Sequence, residues 1–212
     1  MNKCVVGLLL CSIFTGASHA QSPESRKVMT PEERAAAIQR AFSPTARVDA
    51  FKARIDFDRK FATDDGRMVV AYDWTRLATE RLPGLTELKI DNHIPRVNDS
   101  GPLKDVRVDI FNGHFDGAHV SITIAQAKDR FKAADYFLNE TTSPTIAQVP
   151  FETDPASLGS VSVRSTIAGP GRGFVWIYKN LCFVVTGAPA DPVGNLARRL
   201  QTLAEGHTVN SK

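Results

Sequence analysis

Cysteine is close to missing. The 212 residues hold three, and two of them, Cys4 and Cys11, lie in an N-terminal stretch that reads as a removable leader. One thiol, Cys182, is left for the mature chain, so disulfides cannot staple the fold, and stability must come from a core. Cys182 sits in the middle of an apolar strand and has no His or Asp near it in a cysteine-enzyme pattern. It is expected to be a small buried hydrophobe, not a nucleophile.

Long apolar runs are missing too. Past residue 20 nothing approaches the roughly 20 apolar residues of a bilayer-spanning helix, so no integral membrane segment is expected in the mature chain. An excess of one charge is missing as well: 26 Lys and Arg stand against 23 Asp and Glu, for a net charge of +3. Nucleic-acid binders carry concentrated basic patches, which argues against that class. Several enzyme signatures are lacking. There is no Gly-x-Ser-x-Gly elbow, and Ser160 has none of its flanking pattern. The Gly169-Pro170-Gly171-Arg172-Gly173 stretch lacks the lysine and hydroxyl of a phosphate loop and lies between two strands, where it reads as a turn. No carboxylate pair stands out as glycosidase-like, and no internal repeat or domain linker is found.

What is present begins with an export signal. Lys3, the apolar Val5 to Phe14 and the small residues Ser18 and Ala20 form a leader too short to span a bilayer. Leu8-Leu9-Leu10 before Cys11 lacks the small residue that precedes a lipidated cysteine. Cleavage is expected near Ala20, giving a periplasmic or secreted product. Residues 21–29 are polar and expected to be disordered, and residues 30–212 are expected to form a single α+β domain. Thr30-Pro31-Glu32-Glu33 starts a helix that should run to about Ala41.

Alternation then predicts a half-buried strand over Phe51 to Asp58, returned by Arg67 to Trp74 as a first hairpin. Thr75 to Leu82 reads as a short helix and Leu85 to Ile90 as a strand, with 91–95 as a loop. Val106, Val108 and Ile110 mark another strand, entering a loop at 112–117, and Val120, Ile122 and Ile124 mark its partner. Helical spacing of Phe131, Ala134, Phe137 and Leu138 predicts a helix over 128–139. A proline-bearing surface loop at 145–159 and a strand over 160–165 follow. Leu196, Leu200 and Leu203 predict a closing helix over 193–204, beyond which His207 should be frayed. The class is α+β, a mainly antiparallel sheet built from hairpins with two or three helices packed on it.

The densest apolar run, Phe174 to Gly187, reads as two strands joined at Lys179-Asn180, where Asn suits a left-handed turn position. This register pairs Tyr178 with Leu181, Trp176 with Phe183 and Phe174 with Val185. Phe174, Trp176, Tyr178, Leu181, Phe183 and Val185 share one face; Val175, Ile177, Cys182 and Val184 share the other. Both faces are apolar, so both are expected to be covered, or else Phe174, Trp176, Tyr178 and Phe183 form a ligand or partner face. One polar constellation invites chemistry. His114, Asp116 and His119 would bind zinc or a similar ion if their donor atoms converge at about 2 Å, with His93 as a possible fourth ligand.

Two functions follow. One is a non-catalytic binding protein of the cell envelope, with a partner protein or a small apolar ligand and no cofactor. The other is a metal-assisted hydrolase using His114, Asp116 and His119. If the leader is processed as expected, protein purified from the envelope should begin at Gln21. Edman or mass-spectrometric sequencing that finds Met1, or a lipid on Cys11, would reject the reading.

Overall fold

The computed structural model describes residues 44–64, 66–79, 82–95, 104–142, 151–154, 158–165 and 172–210. These lie within one compact unit, Arg40–Lys212. The leader, the helix expected over 30–41 and the Gly169 turn through Gly171 lie outside the described residues. In chain order the elements are α1 (Pro44–Ile55), α2 (Phe57–Ala62), β1 (Met68–Val70), a 3-10 turn η1 (Trp74–Ala78), β2 (Leu85–Ile94), β3 (Val106–Phe115), β4 (Ala118–Ala127) and α3 (Arg130–Thr142). Next come β5 (Phe151–Thr153), β6 (Val161–Ser165), β7 (Arg172–Tyr178), β8 (Leu181–Ala188), α4 (Ala190–Gly206) and β9 (Thr208–Asn210). The class is α+β, with four α-helices among the described residues on hairpin-built antiparallel sheet.

Seven strands form one antiparallel sheet in the order β2-β3-β4-β8-β7-β6-β5. Its centre is the β7–β8 hairpin, in the register read from the sequence: Tyr178 opposite Leu181, Trp176 opposite Phe183, Phe174 opposite Val185. Both faces are covered, each by its own helical layer. On one face Trp176, Leu181, Phe183 and Val185 join Val120, Ile122 and Ile124 of β4, beneath Val193, Leu196, Ala197 and Leu200 of α4 and Trp74 and Leu77 of η1. On the other, Val175, Ile177 and Cys182 join Val106, Val108 and Ala125, beneath Phe137 and Ala134 of α3 and Phe51, Ile55 and Phe57 of α1 and α2.

The first expected hairpin is absent: residues 51–58, read as a strand, are helical. The segment FKARIDFD satisfies both periods over so short a window. In a helix Phe51 and Ile55 fall four residues apart on one face, while Ala53, inward in a strand, is exposed. Asp56 adopts a left-handed conformation (φ 57°) that ends α1 and restarts the chain as α2. That break returns Phe57 to the buried side, where its ring lies 5.9 Å from Phe137. Arg67 to Trp74 yields only the three residues of β1. These pair with β9, so residues 207–210 are held and not frayed: the His207 carbonyl accepts from the Ala71 amide at 3.0 Å, and its ring packs 4.5 Å from Tyr72.

Other boundaries move outward. β2 continues through the expected loop to Ile94, and β3 continues to Phe115, leaving a two-residue turn at Asp116 (φ 47°) and Gly117 (φ 80°). Two successive positive φ values are what a tight hairpin needs, and Asp-Gly supplies them at low steric cost. Within the expected 145–159 loop, Phe151–Thr153 pairs with β6 as the edge strand β5. The long edge strand β2 is interrupted by two register shifts, which bend it and blunt its capacity to recruit a foreign strand.

Trp176 is fully buried, stacked 4.6 Å from Phe183 with Trp74 edge-on beyond. Trp176→Ala should cost about 3–5 kcal/mol. Chemical denaturation of the two proteins measures it, and an unchanged midpoint would contradict the packing.

Candidate binding site at the tip of the central hairpin

The hairpin tip departs from the sequence reading in an informative way. The left-handed residue is Lys179 (φ 54°), not Asn180. Asn180 is buried and its side chain is spent on neighbours. Its Oδ1 accepts from the Val70 amide at 2.7 Å, and its Nδ2 donates to the Ala127 carbonyl at 3.2 Å. Its own carbonyl accepts from the Ala127 amide at 2.9 Å. One side chain therefore ties β1 and the end of β4 to the tip.

With the tip held, the Lys179 ammonium reaches Asp64, in the turn after α2, at 2.5 Å; the Asp64 side chain is 5 % exposed and that of Lys179 16 %. Asp64 is held from behind too, because the Arg130 guanidinium donates to the carbonyls of both Phe61 and Asp64. Arg130 is in turn packed against the rings of Phe61 and Phe131, at 4.6 and 4.9 Å. A pocket of about 500 Å³ opens at this junction, walled by Thr63 and Asp64, by Leu158, Gly159 and Ser160, by Tyr178 and Lys179, and by Arg198, Gln201, Thr202 and Glu205 of α4.

Gly159 is required in that wall. Its φ is +55°, and a Cβ would collide with the Ile177 carbonyl oxygen. The loop thus lies directly against β7, with the Ser160 amide donating to the same carbonyl at 2.8 Å. Gln201 lines the pocket from α4 while accepting from Trp176 Nε1 at 2.9 Å and donating to Glu205 at 2.9 Å.

The four residues of the expected ligand face separate here. Trp176 and Phe183 are core, with no exposed surface. Phe174 is partly buried against the same cluster, beside Gly194 of α4. Tyr178 alone lines the pocket, its hydroxyl 3.1 Å from Thr208 Oγ1. Trp176 does not line the pocket, whose wall is largely supplied by residues 63–64, 158–160 and 198–205 that no sequence pattern linked to the hairpin. A second, more apolar pocket of about 480 Å³ runs along the outer side of α4 past Leu82, Leu203 and His207.

The histidines are placed differently from the metal reading. His114 and His119 are directly opposed across β3 and β4, their rings edge-on at 5.5 Å. Asp116 is in the turn, its amide bonded to the Gly84 carbonyl at 3.0 Å, and the carboxylate nearest His114 is Glu87, at 3.4 Å. Among the described residues no three His, Cys, Asp or Glu side chains gather into a group able to hold a metal ion. His93 cannot join His114: it pairs with Asp109, five residues along β3, or about 17 Å at a strand's rise.

His93 instead meets Asp109 at 2.5 Å, a carboxylate fully buried and also 3.0 Å from Arg107 Nε. Arg107 extends the network to Asp73 at 3.1 Å, and the Thr75 hydroxyl and Arg107 hold the Asp73 carboxyl below its usual range. Asp109 lies on the same side of β3 as the buried Phe111 and Phe115, which is why its carboxylate needs two partners.

Cys182 is buried and unpaired, and burial pushes its thiol well above the ordinary range, with Glu140 nearby adding to the effect. The expectation of a buried thiol is met. Burial raises the Glu140 carboxyl as well, against the opposing hydrogen bond from Tyr136.

Comparison with protein families, curated proteins and solved structures yields no match in any of the three.

A raised folded pKa means that the native state holds the Glu140 proton more tightly than the unfolded chain. Stability is then lost as pH rises from the unfolded value of 4.5 through the higher folded value. Glu140→Gln keeps an acceptor for Tyr136 and removes the buried charge. It should melt above the parent at pH 7, with the gap closing below pH 4.5, as a pH series of melting curves would measure. A variant less stable than the parent at neutral pH would contradict this assignment.

Proposed function

We propose that this is an exported binding protein of the cell envelope that holds a small polar ligand, without turning it over, in the pocket at the hairpin tip. The observation that carries the reading is the cavity of about 500 Å³ itself, whose wall gathers the Asp64–Lys179 ion pair, Ser160, Arg198, Gln201 and Glu205 from segments far apart in the chain. A cavity of ligand size with a few convergent polar groups is the usual form of a small-molecule site.

Binding fits the pocket better than nucleophilic catalysis. The Ser160 hydroxyl donates to the Ile177 carbonyl at 3.3 Å, so its proton goes to the backbone and not to a base. The pocket's polar wall also favours a polar ligand over an apolar one, since apolar surface at the hairpin is already used by α4 and η1.

Protein purified from its native envelope under non-denaturing conditions should carry a small polar molecule visible by native mass spectrometry. Glu205 is exposed at the rim, so Glu205→Trp should reduce that occupancy at least severalfold with little change in melting temperature. Unliganded parent protein, or occupancy indifferent to the substitution, would count against the pocket.

A further inference from the structure

We infer that the second pocket, along the outer side of α4, is a binding site for a single-chain amphiphile with a carboxylate head, of the kind a medium-chain fatty acid presents. The inference does not depend on the pocket at the hairpin tip. One wall is α4 itself, where Arg199, Leu203, Gly206 and His207 follow one another at helical spacing and form one continuous strip. The facing wall is Leu82, fixed where the chain turns into β2 by the Leu85 amide, which donates to the Leu82 carbonyl at 3.0 Å. Leu82 and Leu203 both pack on the core behind them, so the cavity of about 480 Å³ has an apolar floor. Gly206 leaves it open: a Cβ there would meet nothing within 4 Å.

The two ends of this groove differ in charge. Arg198 and Arg199 are exposed at one end, and neither has a carboxylate partner among the described residues. Arg198 donates to the Asn195 side chain, and Arg199 is held 5.6 Å over the buried Phe115 ring. No Asp or Glu is among the described residues that line the cavity. A guanidinium presents its N–H donors in a planar fork that matches a carboxylate. Two unopposed arginines beside an apolar floor therefore suit an apolar chain that ends in an anion. Gly206 and His207, at the other end, lie where α4 stops, and the partial negative charge of a helix C-terminus disfavours an anion. The head accordingly sits at Arg198 and Arg199, with the tail along Leu203 towards His207. From 198 to 206 the helix rises about 12 Å at 1.5 Å per residue. An extended chain advances about 3.5 Å per three bonds, so a tail of about ten carbons spans the groove.

The probes are decanoate, decylammonium and acetate, each kept below any micelle threshold and titrated into isotopically labelled protein at neutral pH, with amide chemical shifts as the readout. Decanoate should shift the amides of residues 82, 199, 203, 206 and 207 and bind on the order of tenfold more tightly than decylammonium, while acetate leaves them in place. Arg198 borders both pockets, whereas Arg199 borders this one of the two. Arg199→Gln should weaken decanoate on the order of tenfold, with little change in melting temperature because the side chain is exposed. Decylammonium binding as tightly, acetate shifting the same amides as strongly, or decanoate affinity unchanged in the variant would overturn the inference. So would amides that stay in place with every probe, or that move with protein concentration alone and so give the groove to a second copy of the chain.

Discussion

Neither face of the central hairpin tolerates water, and the rest of the structure answers that constraint. A strand pair with Trp176, Phe183 and Val185 on one side and Val175, Ile177 and Cys182 on the other needs apolar cover above and below. One helix per face supplies most of it: α4 follows the second meander and closes over the tryptophan side, and α3 follows the first and closes over the cysteine side. The remaining elements widen these layers. η1 brings Trp74 edge-on to Phe183, and α1 and α2 bring Phe51 and Phe57 to Phe137.

Polar side chains become structural connectors wherever this layering leaves a seam. Asn180 stitches β1 to the end of β4 through groups that would otherwise be buried and unbonded. Gln201 joins the Trp176 indole to α4, and Asp109 is neutralised between His93 and Arg107. Asp64 follows the same pattern, its Oδ1 held by Lys179, and like Gln201 it borders the cavity. The candidate site is thus a junction of layers, where the hairpin tip, the turn after α2, the loop before β6 and the C-terminal half of α4 meet.

Much of the sheet was legible because side-chain alternation and turn chemistry are local. The β7–β8 register followed from Lys179-Asn180 alone, and the amphipathic spacing of Phe131 to Leu138 and of Leu196 to Leu203 located both covering helices. The site was hardly legible, because Asp64 and Lys179 are 115 residues apart and nothing in their neighbourhoods marks either one. The attention drawn to His114, Asp116 and His119 by their short spacing came from residue type. Strand geometry then sets the two imidazoles against each other and leaves the aspartate in the turn.

The sequence by itself determined the hairpins, the helices that cover them, the α+β class and the burial of Cys182, because each depends on a period or a turn within a dozen or so residues. Tertiary structure alone decided three things. It chose helix over strand for residues 51–58, where both periods fit and packing against Phe137 broke the tie. It buried Asp109 between His93 and Arg107, since alternation separates the two faces of β3 without saying which one meets solvent. It assembled the pocket, because a wall drawn from residues 63–64, 158–160, 178–179 and 198–205 depends on distances between segments far apart in the chain.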